Sequence, residues 1–277
     1  MARFRLRRTG LLPGFGLSLG FVGAYLGLLV LVPLGALALK AAGIGPGGLY
    51  ALVTDDRALA ALRLSFGAAF IAAALNAVFG VALAWVLVRQ RFLGHSFVNA
   101  LVDLPFALPT AVAGIALTAV YSEHGVLGAP LQRLGIRGAF SPFGVVVALT
   151  FVGLPFVVRT VQPVLEELDP ALEEAASVLG ATPWQSLRLV VLPALAPSVL
   201  TGFALAFARA IGEYGSVVFI SGNMPMRTEI VPLLIVTKLE QYDYQAATAL
   251  ALVMLTASFG LLLLVNLLGR WAQRGQA

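Results

Sequence analysis

Six long apolar runs, separated by short stretches that carry most of the charge, constrain this chain more than any other feature. Each run is long enough to cross a hydrocarbon core of about 30 Å as a helix. Only 11% of the 277 residues are charged, against about 25% in ordinary soluble domains. The pattern predicts an all-α, polytopic integral membrane protein and argues against a soluble enzyme. The six predicted transmembrane helices cover residues 17–39, 64–88, 101–121, 143–161, 192–220 and 246–268.

The first apolar run follows a basic segment and ends in Ala36-Leu37-Ala38, as many cleavable signal peptides do. Its apolar core exceeds 20 residues, whereas the core of a signal peptide has about 7–15, so we expect a retained span. A shorter apolar stretch, residues 230–236, contains Pro232. It is too short to cross the membrane, and we expect an interfacial or re-entrant piece.

The distribution of basic residues favours a cytoplasmic N-terminus and, with six spans, a cytoplasmic C-terminus. The residues then placed inside are Arg3, Arg5, Arg7, Arg8, Arg89, Arg91, Arg159, Arg188, Arg270 and Arg274. Those placed outside are Lys40, Arg57, Arg63, Arg133, Arg137, Arg227 and Lys238. The inside residues lie closer to the span ends, where the positive-inside rule has most force. No basic block is long enough to indicate nucleic-acid binding, so membrane lipids are the expected charged surroundings.

The hairpin, residues 163–191 between the fourth and fifth spans, carries the clearest helix-capping signals in the chain. Asp169-Pro170 has the form of an N-cap followed by proline at the first helical position. Gly180 is a natural left-handed terminator. Residues 182–185 then supply a capping box that opens a second helix. The hairpin is therefore predicted to be a short helix, a sharp turn and a second helix running into the membrane.

The first helix of the hairpin is predicted to be amphipathic. Its apolar stripe consists of Leu172, Ala175, Ala176 and Leu179, and its other side of Glu173, Glu174 and Ser177. Such a helix can lie on the membrane surface as a connector. It can also dock on a partner, because small alanines allow close approach and the carboxylates can meet basic groups.

The hairpin also resembles the EAA signature of permease subunits of ABC importers. The matching residues are Glu174-Ala175-Ala176, Gly180, and Val190-Val191-Leu192-Pro193, with Val190 where isoleucine is usual. The resemblance implies the MetI-like fold of type I importers and a coupling helix that fits a cleft on a separate ATPase subunit. The coupling residues it implies are Glu173, Glu174, Ala175, Ala176, Gly180, Leu192 and Pro193. A docked hairpin must be cytoplasmic, which agrees with the distribution of basic residues.

Two further stretches are similar to T-type permease subunits of the sulfate/thiosulfate branch of this family. They are residues 103–114, DLPFALPTAVAG, and residues 212–223, GEYGSVVFISGN. In the first stretch, Asp103 precedes Pro105 and Pro109 and is predicted to cap the broken start of the third span. The sulfate assignment comes from the resemblance alone, so molybdate and tungstate, which are also compact dianions, stay open as alternatives.

The resemblance implies a transport subunit of a bacterial cytoplasmic (inner) membrane rather than an enzyme. The implied partners are an ATP-binding subunit, a second homologous permease chain and a periplasmic sulfate/thiosulfate-binding protein. The predicted organisation begins with residues 1–56, which comprise an N-terminal cytoplasmic basic segment, the first transmembrane helix and a periplasmic loop. A type-1 permease domain, 57–268, contains the hairpin, and a cytoplasmic tail, 269–277, follows.

The energy source is predicted to lie in another chain. A P-loop needs Gly-Lys-Ser/Thr at its end, but the only lysines are Lys40 and Lys238, and neither fits. We expect no cofactor in this chain, with ATP and Mg²⁺ on the partner ATPase. An intramembrane protease is disfavoured because His95 and His124 fall on opposite predicted sides. An ion-coupled secondary transporter is the better rival, although it gives the hairpin no purpose.

Arg209 and Glu213 are four residues apart in the fifth predicted span and would share one helix face. Charged groups at membrane depth are costly and usually face a bundle interior or a wet cavity. Either the two form an ion pair that fixes helix packing, or Arg209 draws a dianion into the pathway while Glu213 prevents tight binding. The pathway candidates are Arg209, Glu213, Tyr214, Gly215 and Ser216.

Overall fold

The computed structural model describes residues 15–274, and every regular element in that range is a helix. The side chains of residues 265, 266 and 268–274 lie outside the described set. Arg3, Arg5, Arg7 and Arg8, which contribute to the orientation prediction, also lie outside it. The chain divides into two compact units, Met1–Tyr50 and Ala51–Ala277.

The first unit contains one long helix, α1 (Phe15–Ala42), which covers the first predicted span. The helix widens into a π-turn at Gly27–Leu31, directly before Pro33. A proline has no N–H to donate to the preceding turn, and a wider turn accommodates that loss without ending the helix. A short helix, α2 (Gly45–Val53), follows.

The second unit is a bundle of ten described helices. They are α3 (Asp56–Arg89), α4 (His95–Ala107), α5 (Thr110–Tyr121), α6 (Gly128–Arg133), α7 (Pro142–Glu167), α8 (Pro170–Val178), α9 (Pro183–Ile211), α10 (Gly215–Ser221), α11 (Val231–Glu240) and α12 (Tyr244–Arg274). The centre of the bundle is formed by α3, α7 and α9, which pack on one another. The hairpin connects α7 to α9 of this centre, and Arg209 and Glu213 lie at and just after the end of α9.

Small side chains allow the three central helices to approach closely. A Cβ added at Gly80 of α3 or at Gly202 of α9 would come within 2.9 Å of Val157 on α7. The buried face of α3 is dominated by alanine, at Ala58, Ala61, Ala68, Ala69, Ala72, Ala73 and Ala84. Close backbone approach through small residues is the usual way in which membrane helices associate, because lipid supplies little hydrophobic drive between helices.

Five described helices are long and apolar enough to cross a membrane: α1, α3, α7, α9 and α12, the last of them over Tyr244–Leu264. The third predicted span, residues 101–121, is present as the pair α4 and α5, which are bent by 115° relative to each other. The bend falls at Leu108, whose backbone is extended. The helical region is disfavoured for a residue that precedes proline, and Pro109 follows Leu108. The third predicted span is therefore broken, and the break lies at Leu108 and Pro109.

Asp103 does not cap the start of that span, contrary to the sequence prediction. It lies inside α4, and its carboxylate accepts hydrogen bonds from the Arg159 guanidinium of α7 at 2.8 and 2.6 Å. The N-cap of α5 is instead Pro109. The prediction failed because a long-range basic partner outcompeted the local capping role.

The fifth predicted span, residues 192–220, differs at both ends from the helix in the structure. The helix α9 begins nine residues earlier, at Pro183, and stops at Ile211, while α10 starts only at Gly215. A π-turn at Leu187–Val191 directly precedes Pro193, as in α1. The short apolar stretch forms α11, which is ten residues long and too short to span.

Candidate functional site

The hairpin folds as its capping signals predict. The Asp169 carboxylate accepts a hydrogen bond from the Ala171 N–H at 2.9 Å and so caps α8. At the start of α9, the Thr182 hydroxyl accepts from the Gln185 N–H, and the Gln185 side chain accepts from the Thr182 N–H at 2.8 Å. These bonds satisfy amides that a helix start otherwise leaves unpaired. Both helices of the hairpin are therefore fixed by residues close in sequence.

Gly180 makes the turn between the two hairpin helices. Its φ is +86°, a left-handed value that glycine adopts without strain. The Ala181 N–H donates back to the Ala176 carbonyl at 3.0 Å, which is the bond that closes a Schellman turn. A side chain at position 180 would meet no neighbouring atom. The constraint at this site is one of backbone conformation rather than of space.

The apolar side of the hairpin is not covered by the described part of the chain. The exposed fraction is 88% for Val178 and Leu179 and 66% for Trp184. Exposed apolar side chains that form a patch mark protein–protein or membrane interaction sites. Leu172 and Leu189 extend the same exposed set. We call these five residues the apolar face of the hairpin.

The two neighbouring glutamates of α8 have different surroundings. Glu173 forms an ion pair with Arg89, the last residue of α3, at 3.0 Å. Glu174 is exposed, so its carboxylate is available to a basic group outside the chain. Leu192 and Pro193 lie inside α9, just after the π-turn that packs against α8. Of the coupling candidates, Glu173 is therefore occupied internally and Glu174 is not.

The second candidate site is the junction, residues 209–216 together with residues 110–114. The helix α9 ends at Ile211, and the Glu213 carboxylate turns back to accept the Ser216 N–H and hydroxyl, both at 2.9 Å. Its other oxygen pairs with Arg209 at 2.6 Å. The side chain of Glu213 is only 2% exposed. A buried carboxylate needs such partners, because an unpaired buried charge is strongly destabilising.

The junction joins the two stretches that the sequence comparison singled out. A Cβ at Gly114 would lie 2.5 Å from the Ser216 carbonyl oxygen, and a Cβ at Gly215 would collide with the Thr110 side chain. The starts of α5 and α10 therefore touch backbone to backbone. Both helices begin at a break in a longer apolar segment, and glycine is required for the contact.

Arg209 is the member of the pair that can meet a ligand. Its side chain is 35% exposed, whereas the Glu213 carboxylate is enclosed and fully engaged. Tyr214 is 39% exposed beside it. The junction thus brings all five pathway candidates together. It supplies one accessible cation, held in place by a buried acid.

The sequence analysis missed a polar cluster around Arg159. All five N–H groups of its guanidinium have acceptors: the Asp103 carboxylate, the Asn99 side chain and carbonyl, and the Gln162 side chain. The available signal was the spacing of Asn99 and Asp103, which are four residues apart and so share a face of α4. The cluster fixes α4 on α7. Among the described residues, no group of three or more metal-ligating side chains could hold a metal ion.

The fold is that of a membrane-embedded helical bundle, with five described helices long and apolar enough to cross a membrane. Residues 76–276 match the family described as "Binding-protein-dependent transport system inner membrane component", and the chain belongs to this family. Within the family, it is similar to sulfate permeases. The "Sulfate transport system permease protein CysT" of Escherichia coli (strain K12) is 46% identical over 265 residues, which cover 96% of each chain.

Other relatives carry the same description. The protein of Salmonella typhimurium is 47% identical over 257 residues, 93% of each chain. The protein of Synechocystis sp. is 48% identical over 250 residues, 90% of this chain and 87% of the relative. These relatives are named as transport permeases, which confirms the expectation of a transport subunit rather than an enzyme.

Two solved structures confirm the fold. A bacterial alginate ABC transporter, in complex with an alginate pentasaccharide-bound periplasmic protein, contains a chain with a TM-score of 0.71 and 18% identity. The match covers 92% of this chain and 93% of that one. A chain of the MetNI methionine ABC transporter has a TM-score of 0.58 and 16% identity, over 76% of this chain and 94% of its own. The prediction of a MetI-like importer fold is confirmed.

Proposed function

We propose that this chain forms the anion pathway of an ATP-driven sulfate/thiosulfate importer and is coupled through the hairpin to a separate ATPase subunit. The observation that carries the proposal is the exposed apolar face of the hairpin, next to the free carboxylate of Glu174. A rigid, capped hairpin with an uncovered apolar face and an available acid fits a partner that offers an apolar cleft and a basic group. The EAA residues lie on this hairpin.

The partners follow from the family. They are a pair of ATPase subunits that hold ATP and Mg²⁺, a second homologous permease chain, and a periplasmic protein that delivers the anion. ATP binding closes the ATPases and draws the hairpins together, and the pathway then opens toward the binding protein. The hairpin must lie in the cytoplasm for this to happen, which places both termini there.

Arg209 is the proposed anion contact at the junction. A dianion needs a cation at membrane depth, and Arg209 is both partly exposed and held by Glu213 at 2.6 Å. Because Glu213 already neutralises part of its charge, the anion is attracted without being trapped. The sulfate assignment is supported by the names of the relatives, and molybdate or tungstate remains the alternative substrate.

The test is radiolabelled sulfate uptake in cells that lack this chain and are complemented by it, with excess thiosulfate or molybdate as competitors. We expect uptake that requires a functional partner ATPase and is competed by thiosulfate more strongly than by molybdate. Stronger competition by molybdate would assign the alternative anion. Uptake that persists without the ATPase and collapses with the ion gradient would instead establish a secondary transporter.

A further inference from the structure

The helix α3 connects the two ends of the bundle without interruption. It has 34 residues, and at 1.5 Å per residue it is about 50 Å long. No proline lies within it, whereas α7 contains Pro155 and Pro163 and α9 contains Pro193 and Pro197. Because α3 packs on both α7 and α9, it is the unbroken element at the centre of the bundle.

At the hairpin end of α3, the side chain of Arg89 contacts both α8 and the end of α7. The Nε of Arg89 donates a hydrogen bond to the Glu173 carboxylate of α8 at 3.1 Å, and its Nη2 lies 3.0 Å from the same oxygen as an ion pair. Its Nη2 also donates to the Leu168 carbonyl, at the C-cap of α7, at 3.0 Å. A displacement of α8 therefore reaches α3 through Arg89. The pair is partly exposed, with 16% of the Arg89 side chain and 27% of the Glu173 side chain accessible.

At the opposite end, α3 holds the segment that leads into α11. Arg57, in the first turn of α3, donates to both oxygens of the Glu229 carboxylate at 2.7 Å. This two-bond geometry is the strongest that arginine makes with a carboxylate. The Ser65 hydroxyl of α3 accepts the Val231 N–H at 2.8 Å. Residues 229–231 are thus bound to α3 by an ion pair and a buried hydrogen bond.

The burial of Glu229 makes this second attachment obligatory. Its side chain is 1% exposed, and Arg57 is its only side-chain partner among the described residues. Separating the two would leave a buried charge without compensation, which costs several kcal/mol in typical proteins. Residues 229–231 must therefore follow any movement of the start of α3.

We propose that α3 carries displacement of the hairpin to residues 229–231 at the opposite end of the bundle, with Arg89 and Arg57 as the positioning residues at its two ends. The proposal rests on the proposed function, because the ATPase supplies the displacement. In the proposed orientation, the segment that moves faces the periplasm, where the anion is delivered. The ATP-driven step and the opening of the outer face are then linked by one helix.

The first experiment is a charge swap in the complete importer reconstituted in lipid vesicles. The variants are Arg89→Glu, Glu173→Arg and the double variant, each combined with Arg227→Cys as a reporter. The native chain has no cysteine, and Arg227 is exposed on the segment before Glu229. The readouts are ATPase binding, ATP hydrolysis, sulfate uptake, and the ATP-dependent change in the maleimide labelling rate at position 227.

We expect each single swap to retain ATPase binding and hydrolysis but to lower uptake by about tenfold, the usual scale of an allosteric coupling. The ATP-dependent change at position 227 should disappear in the single swaps and return in the double variant. Arg91→Glu is the matched control, because it reverses an exposed charge just after α3, at the same end of the bundle but outside the hairpin, and Arg91 makes no described ion pair. It should behave as wild type.

A second arm tests the opposite end without leaving a charge buried. Arg57→Met combined with Glu229→Met should keep ATPase binding and hydrolysis and abolish the ATP-dependent change at position 227. Wild-type labelling changes and uptake in either arm would overturn the role of α3. If the native hairpin fails to bind the ATPase, the proposed function fails instead, so the two results are distinguishable.

Discussion

The hairpin and the junction place acidic side chains in opposite surroundings. At the junction, the Glu213 carboxylate is 2% exposed, and both of its oxygens have partners within the chain. On the hairpin, Glu174 is exposed four residues before Val178, which is 88% exposed. The acid at the junction is therefore satisfied within the chain, whereas the hairpin presents apolar surface and a charge that the described part of the chain leaves uncovered. In the proposed function, this contrast separates the part assigned to the pathway from the part assigned to ATPase docking.

The energetic effect of losing a contact also differs between the hairpin and the junction. Fully burying one leucine side chain contributes about 1.5–3 kcal/mol, so docking of the apolar face can stabilise a complex considerably. The isolated chain, in which this face is exposed, loses little stability when the partner is absent. Removing one partner at the junction exposes no surface but leaves a buried charge uncompensated. Single substitutions that leave Glu213 without a partner should thus act on folding, and substitutions on the hairpin should act on coupling.

The largest effect is expected at the backbone contact of the junction. Gly114→Leu places a side chain where even a Cβ would lie 2.5 Å from the Ser216 carbonyl oxygen, and we expect a loss of more than about 3 kcal/mol of stability. The matched control is Gly67→Leu on α3, where a Cβ meets no atom within 4 Å. The measurement is the yield and thermal stability of the purified complex. Equal stability of both variants would contradict the close contact.

Next in size is the effect of Gly180→Val in the hairpin turn. Valine is strained at a φ of +86°, so the orientation of α8 should change while the bundle stays folded. We expect normal membrane insertion with uptake reduced by about a hundredfold, a loss of roughly 2.7 kcal/mol in coupling. Gly135→Val is the control, since Gly135 also has a positive φ of +77° and open space around it, at the opposite end. Similar losses in both would show that backbone strain, rather than docking, is responsible.

A smaller effect is expected for Leu179→Ser on the apolar face. The side chain is already exposed, so the stability of the isolated chain should change by less than about 0.5 kcal/mol. Affinity for the ATPase should fall about tenfold, because one buried leucine is lost from the interface. Binding measured with the purified ATPase tests this. Unchanged affinity would remove Leu179 from the docking surface.

The smallest effect is expected when the ion pair of the junction is replaced as a unit. Arg209→Leu with Glu213→Gln leaves no charge buried and keeps an oxygen that can accept the Ser216 N–H, so the complex should assemble. Sulfate uptake should fall severalfold through a higher KM, because the accessible cation is lost. A KM equal to that of wild type would show that the pair serves packing alone.

The same contrast explains what could be predicted from the sequence. The hairpin was predicted in detail, because Asp169, Gly180 and Thr182 act on amides within a few residues of themselves. The break after Ile211 was not predicted, since it depends on Glu213 capping α10 from outside a helix. Glycine next to apolar residues carries no signal that distinguishes a kink from a continuous span.

Ion pairs between residues far apart in the chain were the second feature that could not be predicted from the sequence. Arg57 and Glu229 are 172 residues apart, and nothing in local spacing joins them. Asp103 looked like a cap because two prolines follow it, yet Arg159 binds it across the bundle. Of those prolines, Pro105 is tolerated inside α4 and only Pro109 begins a new helix. The helix-breaking tendency of proline therefore predicts the break between α4 and α5 to within about one turn, but it does not predict which of two neighbouring prolines lies at the break.

The most direct test of the account is site-specific cross-linking from the hairpin to the ATPase. The chain has no native cysteine, so Leu179→Cys and Leu134→Cys each provide one reactive site. Both positions are highly exposed, at 88% and 75%, but they lie at opposite ends of the bundle. The account predicts that a short cross-linker joins position 179, and not position 134, to the ATPase in assembled complexes. Cross-linking from position 134 alone would contradict it.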